Sequence, residues 1–315
     1  KNVYKYNLQI DRSWGMIKKG IHYIKFKPFA QKILVSNKYD FIITWNALTA
    51  FMFSTFLAKH YTKKYCVNIR DITESNLGIL KHIIEFGQNI AIKNSCFTTV
   101  SSAGFIKYLP QNNYIFIQSL NMSVLKQCIS HERMKEKDEP INITYIGYMC
   151  YYDNCIKLID ALRNDRRFVL NFFGQGSEVI ADYALKNGIA NVSCVGRFQV
   201  EDTARLIQDS DIIFNLYGND NINLKTALSI KLYYAIYLRV PILVCENTYM
   251  KEIADSLGIG ITIGNNQYDG DLGNYIFNRY HDIEFNNIKK TCDEYRISVE
   301  KGNDELTRRL DEILG

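Results

Sequence analysis

A chain of 315 residues, 47% of them hydrophobic, is long enough for two α/β domains and has the composition of neither a disordered nor a fibrous protein. Its 38 lysines and arginines alternate with 33 aspartates and glutamates, so we expect no nucleic-acid-binding surface. The best candidate for a membrane span, residues 48–58, has about half of the roughly 20 residues that cross a bilayer.

The first ten residues, KNVYKYNLQI, include no initiating methionine and lack the layout of a secretory signal. We therefore expect the chain to begin inside its first domain, with the opening segment of that domain missing. Residues 14–29 then interleave lysines with aromatic and aliphatic side chains. They predict an amphipathic helix that either lies on an anionic membrane leaflet, near a lipid-linked acceptor, or packs on the first sheet. We favour packing on the sheet.

Residues 1–125 alternate short β-branched and aromatic runs with stretches of helical spacing, such as 47–60 and 78–93. This alternation predicts a domain with a parallel sheet covered on both faces. Its predicted strands are 39–45, 65–70, 97–100 and 114–118. Asp71 and Glu74 follow the second of these strands, where an acceptor-binding or acid/base role is open to them. A helix N-cap is the commoner use of such an aspartate.

Residues 126–140 are charged and have little apolar periodicity, which predicts an interdomain linker. The alternation then restarts and predicts a doubly wound domain over residues 141–275. Its predicted strands are 141–147, 168–174, 191–196, 211–216, 241–246 and 258–263, and its predicted helices are 153–164, 177–187, 201–208, 226–238 and 249–256. Residues 276–315 predict charged helices that pack back on the body of the protein.

Glycines end three strands of this second domain: Gly147 after ITYI, Gly174 and Gly176 in FFGQGSE, and Gly196 in CVGRF. Ligands of open α/β sheets bind beyond the carboxyl ends of the strands, where glycine permits close approach and helix N-termini attract phosphate. A single glycine of this kind is more often structural than functional. The ordered succession of the three strand ends is the stronger signal.

Six ordered blocks of the sequence resemble the C-terminal domain of GT-B glycosyltransferases, particularly glycosyltransferase family 4 of capsule and surface-polysaccharide assembly. They are ITYIG, FFGQGSE, GIANVSCVGRF, SDIIFNLYG, ALSIKLYYAIYLRVPILV and KEIADSLGIGITI. The resemblance covers residues 141–263 well and residues 39–74 more loosely. It implies a GT-B fold, with two Rossmann-like parallel-sheet domains facing a cleft and a nucleotide sugar bound mainly by the second domain.

By position, the resemblance implies a set of donor-binding residues: Gly147, Gly174, Gly176, Arg197, Phe198, Thr226, Ala227, Leu228, Lys231, Leu232 and Tyr234. Arg197 and Phe198 would lie beside the base, and the glycines along the diphosphate and nucleoside. Lys231, Lys225 and Arg197 would neutralise the departing nucleoside diphosphate, towards which the amides of residues 226–228 would point. Lys231 is our first choice, and its alternative interpretation is a solvated lysine on a helix.

The sequence departs from the family pattern at two places. The usual pair of donor-site glutamates, eight positions apart, falls at Thr226 and Tyr234, so ribose must be bound by another arrangement. Tyr148 and Asp153 stand about where an arginine and a lysine are expected after the first strand. These departures leave open a catalytically inactive copy.

The eight cysteines are scattered, mostly inside apolar runs, and form no CxxC pair. This pattern is typical of reduced, buried thiols, so we expect a reducing compartment and no zinc site. Residues 219–221 read Asn-Asp-Asn, with a single carboxylate, so no DxD metal motif is evident. We therefore expect no metal and no cofactor.

We predict a metal-independent, retaining, hexosyltransferase-type glycosyltransferase that acts in the cytoplasm, peripherally at the inner face of the membrane. Its donor would be a nucleoside-diphosphate sugar, with a UDP-sugar favoured, and its acceptor a surface-polysaccharide, lipid-linked or other glycan. The alternative is a catalytically inactive GT-B-like partner of another glycosyltransferase. A nicotinamide-dependent oxidoreductase ranks low, because FFGQGSEVIA breaks the GxGxxG pattern at its third glycine.

Overall fold

The structure, a computed structural model, describes residues 2–8, 11, 13–73, 78–118, 120–268 and 270–315. The chain divides into two compact units. The first comprises Lys1–Val100, Phe105–Phe116 and Asp304–Gly315, and the second comprises Ser101–Gly104 and Ile117–Asn303. Each unit is built on one parallel β-sheet, so the predicted fold class of two parallel-sheet α/β domains is confirmed.

The sheet of the first unit has four strands in the order β1-β2-β3-β4. The strands are β1 (Ile42–Trp45), β2 (Tyr65–Ile69), β3 (Phe97–Val100) and β4 (Tyr114–Phe116), each within its predicted range. Every residue of β2 and β3 is buried, as expected for a parallel sheet that is covered on both faces. The helices are α1 (Met16–Ile24), α2 (Phe26–Ser36), α3 (Ala47–His60) and α4 (Gly78–Asn94).

Residues 14–29 contribute to two helices, α1 and α2, that meet at Lys25. The ring of Phe26 in α2 lies 6.1 Å from the ring of Phe53 in α3, so α2 packs on the body of the first unit. In α1, by contrast, Ile21 and Ile24 are 53% and 58% exposed. The packing interpretation therefore describes α2, whereas these apolar residues of α1 lie on the surface.

The sheet of the second unit has six parallel strands in the order β10-β9-β8-β5-β6-β7. The strands are β5 (Ile141–Ile146), β6 (Phe168–Phe173), β7 (Val192–Val195), β8 (Ile212–Asn215), β9 (Ile242–Cys245) and β10 (Gly260–Ile263), as predicted. The helices are α5 (Met122–Leu125), α6 (Tyr152–Ala161), α7 (Ser177–Lys186), α8 (Thr203–Ile207), α9 (Ile222–Thr226), α10 (Ile230–Leu238), α11 (Tyr249–Ser256), α12 (Asn265–Tyr268), α13 (Leu272–His281) and α14 (Phe285–Leu314).

Two apolar clusters cover the two faces of this second sheet. One contains Ile213 of β8 with Leu232 of α10, and the other contains Ile212 of the same strand with Leu158 of α6. The helices that follow β5 and β8 therefore pack on opposite faces. Because the strand order reverses between β5 and β8, this pair is the switch point at which ligands of doubly wound sheets bind.

The segment that we predicted to be a linker, residues 126–140, packs on the second unit instead. The amide of His131 donates to the carbonyl oxygen of Leu238 at 2.9 Å. Lys135 forms a 2.7 Å ion pair with Asp211, a buried carboxyl whose pKa is raised by that burial. Polar contacts of this kind hold the segment in place without any apolar periodicity.

The helix predicted at 226–238 is two helices, because residues 227–229 interrupt it. At the start of the second helix, α10, the amide of Lys231 donates to the hydroxyl of Ser229 at 3.3 Å. At the other end of the chain, Ile288, Cys292 and Val299 of α14 are buried in the core of the second unit. Among the described helices, none has the length and apolarity of a membrane span.

Candidate functional site

The predicted site lies at the carboxyl ends of β5, β6 and β7 in the second unit. Gly147 and Gly174, directly after β5 and β6, have φ angles of +114° and +143°. A Cβ atom on Gly174 would lie 1.8 Å from the carbonyl oxygen of Gly147, so only glycine fits there. The amide of Gly147 donates to Phe173 at 2.9 Å, and the amide of Gly174 donates to Val195 at 2.8 Å. Gly147 and Gly174 therefore leave space for a ligand, but their amides are already hydrogen-bonded within the sheet.

The start of α7 is occupied by the protein's own groups. The amide of Gly176 donates to the carboxylate of Glu178 at 2.8 Å, and the Tyr152 hydroxyl donates to the Gly176 carbonyl oxygen at 3.2 Å. A phosphate at this helix start would have to compete with Glu178. The structure therefore makes α7 the less favourable of the anion sites at this edge.

Lys231 is buried in the first turn of α10, where it is 5% exposed. Its ammonium donates a hydrogen bond to the Tyr217 hydroxyl and lies 5.0 Å from the centre of that ring and 4.6 Å from the centre of the Tyr145 ring. A Cβ atom on Gly147 would lie 3.7 Å from the Lys231 Nζ atom. The structure thus brings together two predicted site residues, Gly147 and Lys231, from different parts of the chain.

The Lys231 ammonium has no acidic partner: no carboxylate of the described residues forms an ion pair with it. Burial lowers the pKa of Lys231 from 10.5 to about 8, because the charged form loses its hydration. A buried cation without a carboxylate beside a glycine-lined strand end is an arrangement that suits an anionic ligand.

Tyr145 and Tyr217 were not predicted as site residues. Tyr217 comes shortly after β8, and its ring stacks on that of Tyr151 with centres 4.4 Å apart and planes at 25°. The Tyr145 hydroxyl donates to the carbonyl oxygen of Tyr148 at 2.7 Å. A signal for Tyr217 was present in the sequence, because it follows a predicted strand at the same edge as the glycines.

The start of α10 offers free amides, but at different residues from those predicted. The amide of Ala227 donates to Asn223 at 2.8 Å, and buried Thr226 donates its hydroxyl to Ile222 at 2.6 Å, so both residues belong to the end of α9. The amides of residues 228–230 donate to no acceptor within the described chain. Of the three predicted amides, only that of Leu228 remains available to a ligand.

Two further predicted donor contacts, Leu232 and Tyr234, lie in the apolar core. Leu232 is fully buried, and its amide donates to the carbonyl oxygen of Ser229 at 3.1 Å. Tyr234 is also buried, and this burial raises its pKa to about 12. Both side chains belong to the apolar cluster that contains Ile213, so they stabilise the packing of α10 on the sheet.

Arg197, Phe198 and Lys225 lie nearer the surface. Arg197 is exposed just after β7, and Phe198 is half-buried against the cluster that contains Leu232. Lys225 is exposed in the last turn of α9. In the described part of the chain, the side chain of neither Arg197 nor Lys225 forms a hydrogen bond or an ion pair. Their cationic side chains are free to bind a ligand.

The acceptor-side residues belong to the first unit. Asp71 is exposed beyond β2. Glu74 lies outside the described residues. No group of three or more histidine, cysteine, aspartate or glutamate side chains within the described ranges is arranged to hold a metal ion.

No protein-family model matches the sequence, and no curated protein matches it. Many solved structures are similar to it, among them the following three. The sucrose-phosphate synthase of Thermosynechococcus elongatus is 13% identical, with a TM-score of 0.64, over 95% of this chain and 80% of that one. WaaG, a glycosyltransferase involved in lipopolysaccharide biosynthesis, is 12% identical, with a TM-score of 0.59, over 94% and 82%. HepE of Anabaena, in complex with UDP, is 11% identical, with a TM-score of 0.64, over 93% and 82%. At these identities the likeness shows the fold, which is that of GT-B glycosyltransferases.

Proposed function

We propose that this chain is a glycosyltransferase that moves a hexose from a nucleoside-diphosphate sugar to a glycan. The buried ammonium of Lys231 is the observation that carries the proposal. A charge without an acidic partner inside a protein opposes folding, so its presence calls for a compensating anion. A diphosphate at the Gly147 strand end would supply that anion, and the similar structures are of glycosyltransferases.

The same groups suit the chemistry of the transfer. As the bond between the sugar and the diphosphate breaks, negative charge develops on the leaving phosphate oxygen. Lys231 would stabilise this charge at close range, and the amides at the start of α10 would bind neighbouring oxygens. Lys225 and Arg197 would add positive charge from the surface. This cationic set supports a metal-independent reaction, and retention of configuration rests on the resemblance to family 4.

A UDP-sugar is the donor that we favour, since the similar HepE structure holds UDP. In this proposal Arg197 and Phe198, just after β7, lie beside the base. Thr226 and Tyr234, at the positions of the family's glutamates, are buried, so other groups must bind the ribose hydroxyls. The donor would enter over Gly147, where the strand end has no side chain.

For the acceptor, we propose a surface-polysaccharide or lipid-linked glycan at the inner face of the membrane. Residues 12–39 contain seven lysines and arginines and no aspartate or glutamate. The exposed Ile21 and Ile24 of α1 lie within this basic segment. Basic and apolar residues together bind anionic lipid surfaces. Vesicles with anionic lipid should therefore retain the protein, neutral vesicles should not, and an Ile21→Ser, Ile24→Ser double variant should lose this retention.

The direct test is a panel of UDP-, GDP-, ADP- and CMP-linked sugars, measured by thermal unfolding and then by donor hydrolysis. A ligand at 100 times its Kd stabilises a protein by about 2.7 kcal/mol, so a true donor should raise the Tm by several degrees. Slow release of free nucleotide should accompany this shift. Binding without turnover on any acceptor would favour the inactive GT-B-like partner. If none of the four nucleotide sugars changed the Tm, the proposed donor site would be refuted.

A further inference from the structure

Among the described side chains around the Lys231 ammonium, Tyr217 is the one that accepts a hydrogen bond from it. The ammonium donates to its hydroxyl and lies 5.0 Å from its ring centre. On its other side, this ring stacks on Tyr151 with centres 4.4 Å apart. Stacking on Tyr151 therefore fixes the Tyr217 ring, and its hydroxyl in turn fixes the Lys231 ammonium.

We propose that Tyr217 is a positioning residue, which holds the Lys231 ammonium beside Gly147 and keeps it charged there for a phosphate ligand. The inference rests on the proposed function and deepens it. Tyr217 acts through Lys231 and is not required to touch the donor.

The chemistry of the hydroxyl explains why a tyrosine suits this position. A buried ammonium needs an acceptor to replace lost water, and the Tyr217 oxygen is such an acceptor. A carboxylate would also accept, but it would neutralise the positive charge and compete with a phosphate. The faces of the Tyr145 and Tyr217 rings add attraction for a cation without adding negative charge. The site thus stabilises the ammonium while its full charge stays available.

The test compares Tyr217→Phe with the wild type, because phenylalanine keeps the stacked ring and removes only the hydroxyl. The first measurement needs no ligand: NMR follows the ε-carbon of Lys231 during a pH titration, with the resonance assigned by its absence in Lys231→Met. Burial gives the wild type a Lys231 pKa of about 8. Loss of the accepting hydroxyl should lower this midpoint by about one pH unit, since hydrogen bonds to charged groups are worth that much.

The second measurement is UDP affinity as a function of pH. A diphosphate prefers the charged lysine, so wild-type affinity should fall above about pH 8. In Tyr217→Phe the fall should begin about one unit lower, which makes the variant roughly fivefold weaker at pH 8 and nearly wild-type at pH 6. Tyr275→Phe is the matched control, because it removes a hydroxyl that donates to Thr262 elsewhere in the second unit. It should leave both midpoints unchanged.

Several results would overturn the inference. One is an unchanged Lys231 titration in Tyr217→Phe, and another is a loss of UDP affinity that is equal at every pH. Should circular dichroism show that this variant does not fold, Tyr217→Gln takes its place. Its amide oxygen accepts the same hydrogen bond but it has no ring, so its Lys231 midpoint should fall by less than one unit, and a larger fall would contradict the proposal. Failure of the wild type to bind UDP would count against the donor site alone, since the ligand-free titration still decides the role of Tyr217.

Discussion

Replacing Lys231 with methionine should make the free protein more stable and impair its function. Methionine is unbranched and apolar, so it fits the buried site without its charge. The pKa of Lys231 falls from 10.5 to about 8 on folding, which means that the charged form costs roughly 3 kcal/mol more in the folded than in the unfolded state. Loss of the hydrogen bond to Tyr217 offsets about 1 kcal/mol of this. At pH 7 we expect a net gain of about 2 kcal/mol.

The gain should depend on pH in a defined direction. Below about pH 8 the lysine is protonated in both states, so the wild type carries the full cost. Between about pH 8 and 10.5 the unfolded chain binds the proton and the folded protein does not, so this lysine makes wild-type stability rise with pH. The stability that Lys231→Met gains over wild type should therefore be largest at pH 7 and should be lost as the pH rises towards about 10.5.

Urea denaturation at pH 7 and 9.5 measures this difference, and calorimetry with UDP measures the functional cost. Loss of a charged hydrogen bond of about 1.5–3 kcal/mol should weaken UDP binding by roughly 10- to 100-fold. Lys186→Met, at the exposed end of α7, is the matched control and should change neither quantity. A Lys231→Met protein that is less stable than wild type at pH 7, or that binds UDP equally well, would show that this reasoning is wrong.

Four other variants test separate parts of the structure. Gly174→Ala should abolish folding, because its Cβ atom would lie 1.8 Å from a carbonyl oxygen, whereas Gly188→Ala, at φ +63° in open space, should cost about 1 kcal/mol in urea denaturation. Arg197→Ala should weaken UDP binding about tenfold with an unchanged urea midpoint, and wild-type affinity would remove Arg197 from the site. Lys135→Met should cost about 3 kcal/mol at pH 7, because it removes the cation beside the buried Asp211 carboxylate and leaves it the Asn142 amide; a loss below 1 kcal/mol would argue against this pairing.

The strands of the second unit could be predicted from the sequence because buried parallel strands are continuous apolar runs. The blocks ITYIG and FFGQGSE also predict that Gly147 and Gly174 lie at the carboxyl edge of the sheet, where the structure has them. The segment 126–140 could not be placed in this way. It is held by hydrogen bonds and by the pair of Lys135 with Asp211, and such contacts between distant residues leave no periodic pattern in the sequence.

The surroundings of Lys231 also could not be predicted from the sequence. Spacing alone allows a lysine in the first turn of a helix to be solvated, and only the packing of α10 shows that this one is buried. The break at residues 227–229 has one weak signal in the sequence, Ser229, a residue type that favours helix N-caps. Because of this break, the available amides lie two residues beyond the predicted ones. Tyr145 and Tyr217 are about 70 positions apart and meet only because β5 and β8 are neighbours.

The neighbouring positions of β5 and β8 have a consequence for how the site could change. Helix α6 comes after β5 and helix α10 comes after β8 and α9, and the two helices pack on opposite faces of the sheet. The connectivity of the chain therefore leaves a gap between the two strand ends. Side chains line this gap, but the order of the strands creates it. Substitutions among the side chains that line the gap can therefore alter the ligand preference while the sheet stays intact. New specificities are accessible to this framework through a few point changes, without remodelling of the backbone.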